Sequence, residues 1–197
     1  MSSDSVLSTG GSAKRLPAVL TREEQELLLA VPNQKAHTGL RNYCMLQVFL
    51  NAGLRVSEAL ALKVSDVDWV SGKLDIRDGK GGRDRVLWLN EKELEKLERW
   101  QNTRPTACEH VFSTLKGGPM HDRYVRDFVK RYAKKCGIKK DVYPHLLRHT
   151  FATDLLRSTS DVRLVQKALG HASLATTMIY THIVDEQLEY ALKNFRE

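Results

Sequence analysis

The hydrophobic period of this chain is interrupted only once, and that interruption limits the folds open to it. From "LTREEQELLLAV" onwards, apolar residues recur every three or four positions, which places them on one face of an α-helix. Only "KLDIR" (73–77) and "RVLWL" (85–89) alternate apolar with polar residues, and the turn-rich "DGKGGRD" lies between them. The expected fold is therefore α+β and predominantly α-helical, with one small antiparallel hairpin that has a long tip.

Start and stop signals bound the helices. Thr21 and Glu24 form a capping box ahead of a Leu-rich helix. "TGLRNYCMLQVFLNAG" (38–53) presents Leu40, Tyr43, Leu46, Phe49 and Leu50 on one side and stops at Gly53. Short or longer helices follow at "SEALAL" (57–62), "EKELEKLERWQ" (91–101) and "HDRYVRDFVKRYAKKCG" (121–137). Pro144 suits the first position of the helix in "YPHLLRHTFATDLLR". "DVRLVQKALG" has Asp161 at its cap and Gly170 past its end, and "SLATTMIY" and "DEQLEYALKNF" complete the helical set. Residues 1–16, rich in Ser and Gly, read as a flexible N-terminal segment or linker, so the folded domain is expected over 17–197.

Composition removes several classes of function. With 197 residues the chain is long enough for a sizeable core, and no apolar run approaches the roughly 20 residues of a membrane span. The N-terminus lacks a basic stretch followed by an apolar one, so no secretory signal is read. Cys44, Cys108 and Cys136 are far apart, odd in number and without CxxC spacing, which suits reduced thiols in the cytoplasm better than a disulfide frame or a metal site. The net charge of +7 favours an anionic partner, nucleic acid first.

Six side chains carry possible chemistry, and each has an ordinary explanation when taken alone. His145 and Arg148, three apart, share a helix face that could be a solvated basic edge. His171, just after Gly170, could cap the preceding helix, and Tyr180 could be half-buried with its hydroxyl tied down. Arg55 could pair locally with Glu58. Lys80, at the hairpin tip, could be a solvated lysine; its glycines do not make a GxxxxGK[ST] phosphate loop. His149 reads as a structural neighbour that points elsewhere on the helix.

In order, "GLRVSEALAL", "GKGGRDR", "HLLRHTFAT" and "LGHASLATTMIYTH" resemble the motifs of the tyrosine recombinase (phage integrase) family, over about residues 20 to 195. The resemblance implies a metal-free and cofactor-free DNA strand transferase. Tyr180 would attack the scissile phosphate, giving a 3′-phosphotyrosine and a free 5′-hydroxyl. Arg55 and Arg148 would clamp the phosphate oxygens, a geometry that suits guanidinium forks. Lys80 would protonate the leaving oxygen from a hairpin entering the minor groove. His145 would accept the Tyr180 proton or bond the phosphate, His171 would donate to the phosphate, and Glu58 would orient Arg55.

Double-stranded DNA is then the expected partner. Lys130, Arg131, Lys134 and Lys135 of "KRYAKKCGIKK", together with Arg123, are the candidate phosphate contacts. The resemblance implies a monomer when free and a homotetramer on DNA, with the C-terminal helix packed on its own domain or on a neighbour. Family members usually carry an upstream helical core-binding domain, to which no part of this sequence corresponds; the expectation is either a fragment beginning in a linker, which the Ser- and Gly-rich start favours, or a natural minimal recombinase. The family also favours Gly near Thr159, where a helix turns left-handed. Two alternatives stay open: a catalytically silent DNA-binding accessory module of the same fold, and a type IB topoisomerase.

Overall fold

The computed structural model describes residues 18–77, 84–105, 108–171 and 192–193. The proposed N-terminal segment, the hairpin tip with Lys80, the helix at "SLATTMIY" with Tyr180, and all of the C-terminal helix except Leu192 and Lys193 lie outside the described residues. Those residues contain seven α-helices and one two-stranded sheet: α1 Arg22–Ala30, α2 His37–Asn51, α3 Val56–Ala61, β1 Lys73–Ile76, β2 Arg85–Trp88, α4 Glu91–Thr103, α5 Asp122–Lys135, α6 Pro144–Thr159 and α7 Val162–Leu169. The predominantly helical α+β class is the one observed.

The termini follow from local chemistry. Thr21 Oγ1 accepts from the Glu24 N–H, and the Glu24 carboxylate accepts from the Thr21 N–H, the reciprocal box that starts α1. Asn90 and Glu93 repeat the arrangement at α4. Asp161 accepts from the N–H groups of Arg163 and Leu164 to start α7, and Gly170, at φ 66°, ends it. The expected left-handed residue at the end of α6 is Ser160, at φ 55°.

α2 is the central helix. It packs against α1, α4 and α6, and its Cys44, Met45, Leu46, Phe49 and Leu50 are buried. Trp100 of α4 lies fully in the core and donates its indole N–H to the Val111 carbonyl at 2.8 Å. A smaller apolar cluster of Phe151, Ala152, Leu156, Val165 and Leu169 joins α6 to α7.

β1 and β2 pair antiparallel, with Leu74 opposite Leu87 and Ile76 opposite Arg85. Leu74, Ile76 and Leu87 face inward, and by the strand's period of two Arg85 must point the same way. A guanidinium thus occupies a core-facing position, and that placement shapes the site. No helix among the described residues is long and apolar enough to cross a membrane.

Candidate active site

The site is organised around one buried carboxylate. Glu58 lies in the first turn of α3, where its carboxylate accepts the Arg55 backbone N–H at 2.7 Å and so fixes the start of the helix. The same carboxylate receives the Arg55 guanidinium at 2.6 Å. Arg85 meets it with both arms, Nη1 to Oε1 at 2.9 Å and Nη2 to Oε2 at 2.8 Å, the fork-on-carboxylate geometry. Arg148 Nη1 stands 3.6 Å from Oε2. The side chains of Glu58, Arg85 and Arg148 are only 3–4% exposed, whereas that of Arg55 is 35% exposed. Burial pushes the Glu58 pKa up, but the hydrogen bonds and charge of Arg85, the Arg55 N–H and the charge of Arg148 outweigh it and hold the carboxyl at about 2. Three guanidinium groups around one carboxylate leave the site strongly cationic.

Backbone carbonyls aim the two buried arginines. Arg148 donates to the Gly53 carbonyl at 2.5 Å and to the Leu169 carbonyl at 2.6 Å, which links the end of α2 to the end of α7. Gly53 is at φ 61°, and a Cβ there would lie 2.2 Å from the Phe151 ring, so only glycine can place this carbonyl. Arg85 Nε donates to the Ala168 carbonyl at 2.7 Å. A Cβ at Gly170 would lie 3.1 Å from Arg85 Cδ and Nη1. The residue after that glycine is His171, whose N–H bonds the Gln166 carbonyl at 3.1 Å, as expected of a helix-ending turn.

All three histidines of this region are held towards the neutral form. His145 has its pKa lowered by burial, then by Arg148 and Arg55. His171 is pushed down to about 4 by burial, then by Arg148, Arg55, Arg85 and His149. His149 also falls to about 4, by burial, His145 and Arg148. The expectation that His149 points elsewhere is corrected: its ring packs edge-on against His145 at 4.4 Å, because residues four apart share a helix face.

Arg55, His145 and Arg148 line one cleft of about 500 Å³, together with Asp122, Arg126 and Tyr143. His171 opens instead onto a second depression of about 530 Å³, with Arg85, Trp88, Arg163 and Lys167. The two hollows are joined through the Arg85–Glu58–Arg148 contacts. Four of the six candidate residues, and Glu58, are therefore gathered in one electrostatic unit, while Lys80 and Tyr180 lie outside the described residues. Among those residues no group of three or more His, Cys, Asp or Glu side chains is placed to hold a metal.

The candidate DNA contacts Arg123, Lys130, Arg131, Lys134 and Lys135 are all exposed along α5. Arg123 reaches Asp127 at 3.9 Å and Lys130 reaches Asp141 at 3.8 Å, both loose surface pairs. Lys140, from the same basic run, is used differently: it donates to the Val19 carbonyl and to Glu24, tying the start of α1 to the turn after α5.

The profile described as "Phage integrase family" matches residues 18–187. The chain belongs to the phage integrase family. It is 40% identical over 171 residues to tyrosine recombinase XerC of Xanthomonas axonopodis pv. citri, covering 86% of this chain and 55% of that protein. It is 38% identical over 189 residues to tyrosine recombinase XerD of Ralstonia nicotianae, covering 93% of this chain and 61% of the relative. It thus spans 55% and 61% of the lengths of these two family members. Its fold matches the crystal structure of XerA recombinase with a TM-score of 0.79 at 34% identity, over 92% of this chain and 66% of that one. It also matches a post-cleavage complex of XerH site-specific recombinase bound to a palindromic difH substrate, with a TM-score of 0.78 at 32% identity, over 95% of this chain and 56% of that one.

Arg85 and Arg126 line the site without being singled out by the sequence, and Gly53 stood there only as a helix stop. For Arg85 the signal was present: in "RVLWL" it shares a strand face with Leu87 and Leu89, so a buried charge had to find a partner. Arg126 had no such signal, because only the packing of α5 beside α3 brings it to the cleft.

Proposed function

We propose that the chain is the catalytic part of a site-specific DNA recombinase, which cuts and rejoins strands through a 3′-phosphotyrosine on Tyr180. The observation that carries this reading is the convergence of Arg55 and Arg148 on Glu58 at a cleft that His145 also lines. Guanidinium groups held by a buried carboxylate and by backbone carbonyls are preorganised, so little reorganisation is needed as charge develops on a phosphate.

Each group then has one task. A tyrosine phenol in water has a pKa of about 10 and needs a base to attack; a neutral His145 can take the Tyr180 proton. The phenolate oxygen forms a bond to phosphorus while the bond to the 5′ oxygen breaks. Arg55 and Arg148 stabilise the non-bridging oxygens. Lys80 delivers a proton to the departing 5′ oxygen, and neutral His171 donates one N–H to the phosphate. Attack by a 5′-hydroxyl on the phosphotyrosine reverses every transfer. The covalent link retains the phosphodiester energy, so this chemistry calls for neither ATP nor a metal.

In this reading double-stranded DNA lies against the exposed basic face of α5, a tetramer forms on two sites, and the free protein is a monomer. Residues 17–197 form the catalytic domain, and residues 1–16 lead into it.

The test uses a nicked DNA site that traps the cleaved intermediate, scored by a covalent protein–DNA band on a denaturing gel. Wild type forms the band and Tyr180→Phe does not. An equal band from Tyr180→Phe overturns the assignment of the nucleophile. Specific binding with no adduct supports the silent accessory module instead, and plasmid relaxation without recombination supports a type IB topoisomerase.

A further inference from the structure

The guanidinium of Arg85 contacts parts of three segments of the site at once. It grips Glu58 of α3 with both arms, donates to the Ala168 carbonyl near the end of α7, and lies against Gly170, next to His171. It also opens β2, the strand that follows the sequence "DGKGGRD" containing Lys80. Neither the phosphate clamp nor the proton transfers assign it a task.

We propose that Arg85 is a positioning residue for strand cleavage, which meets the Glu58 carboxylate so that Arg148 acts on the phosphate instead of closing onto Glu58 and Arg55 does not have to neutralise that carboxylate alone. This rests on the recombinase reading. A carboxylate offers about four lone-pair sites, and Arg85 occupies two of them in a planar fork. A carboxylate only 4% exposed cannot turn to water when that fork is removed. Among the described residues the nearest remaining cations are Arg55, already at 2.6 Å, and Arg148, at 3.6 Å. Arg148 would close onto Glu58 and Arg55 would be left to neutralise it, so the positive potential at the cleft would fall. Lysine at position 85 would keep the charge but lose the fork.

Among the described residues, the groups that face Glu58 are Arg55 just before α3, Arg85 from β2 and Arg148 from α6, with His171 beyond Arg85. Once Arg85 is replaced by a neutral residue, Glu58 loses the bonds that favour its ionised form, and its pKa rises. Protonation then ends its competition with the phosphate. A variant that acts through Glu58 therefore recovers, relative to wild type, as the pH is lowered. A variant that merely loosens the fold does not.

The experiment measures single-turnover adduct formation on the nicked site, at saturating DNA, from about pH 8 to about pH 5.5. The full chain is compared with Arg85→Gln, Arg85→Lys, Glu58→Gln and the double variant Arg85→Gln/Glu58→Gln. The loss of charged hydrogen bonds predicts Arg85→Gln to be about ten- to a hundredfold slower at pH 8, with DNA affinity held. Its rate relative to wild type rises severalfold by pH 5.5, and the double variant is faster than Arg85→Gln alone. Arg85→Lys keeps the charge and loses the fork, so it shows a smaller loss and a weaker recovery at low pH, and it decides the matter if Arg85→Gln does not fold. A ratio that is flat with pH, or a double variant no faster than Arg85→Gln, overturns the inference while leaving the recombinase reading intact. Absence of a wild-type adduct overturns both.

Discussion

Glu58→Gln tests the electrostatic centre of the site through stability, with no need for DNA. The carboxyl falls from 4.5 to about 2 in the folded protein, with burial opposing the shift and the hydrogen bonds and charge of Arg85 dominating it. Because Glu58 holds its proton less tightly folded than unfolded, its contribution is fully present above about pH 4.5. It fades as the pH falls from there through about 2. At about 1.4 kcal/mol per tenfold change in proton affinity, the contribution at pH 7 is about 3 kcal/mol, and at pH 3 it has shrunk to about 1 kcal/mol. Glutamine is nearly isosteric and cannot ionise, so the comparison isolates charge from shape. Urea unfolding followed by circular dichroism at both pH values gives the gap between wild type and variant. The gap should narrow by about 2 kcal/mol between pH 7 and pH 3, with the denaturant slope unchanged. Parallel stability curves, with a gap independent of pH, would show that Glu58 is not held ionised by its arginines and would refute this reasoning.

Three further outcomes follow from particular residues. Ser160 sits at φ 55° at the end of α6, so Ser160→Gly should stabilise the protein by about 1 kcal/mol in thermal or urea unfolding; a loss of stability would contradict that backbone assignment. The imidazole of His171 should titrate near 4 by NMR in the free protein, because burial and then Arg148, Arg55, Arg85 and His149 disfavour the cation, and adding a DNA site should move it upward. A titration near the ordinary value of 6.5 in the free protein would place His171 away from the arginines. Lys134→Ala and Lys135→Ala should each lower the magnitude of the log–log salt slope of DNA binding by about 0.9, whereas an unchanged slope would remove that residue from the phosphate contacts.

The sequence carried the helical architecture well, since the capping box at Thr21 and the stops at Gly53 and Gly170 are local chemistry. It also carried Arg55, His145, Arg148 and His171, whose residue types and order stand in short motifs. What it hid was the way these groups are held. The Arg85 grip on Glu58 spans 27 residues, and that of Arg148 on the Gly53 carbonyl spans 95. No local period announces such pairings. The misplacement of His149 was avoidable, because the four-residue spacing from His145 already put both rings on one face. Lys140 shows the opposite difficulty. Charge counting gives it to a DNA-facing run, but Glu24, 116 residues away in the chain, takes its ammonium group.

The most direct measurement locates the covalent link itself. Wild-type protein trapped on a nicked DNA site is digested with trypsin and nuclease, and the nucleotide-bearing peptide is sequenced by mass spectrometry. A 3′-phosphoryl adduct on Tyr180 is expected, and Arg148→Ala should abolish it. An adduct on Tyr190 or on a serine, or one that persists undiminished without Arg148, would contradict it.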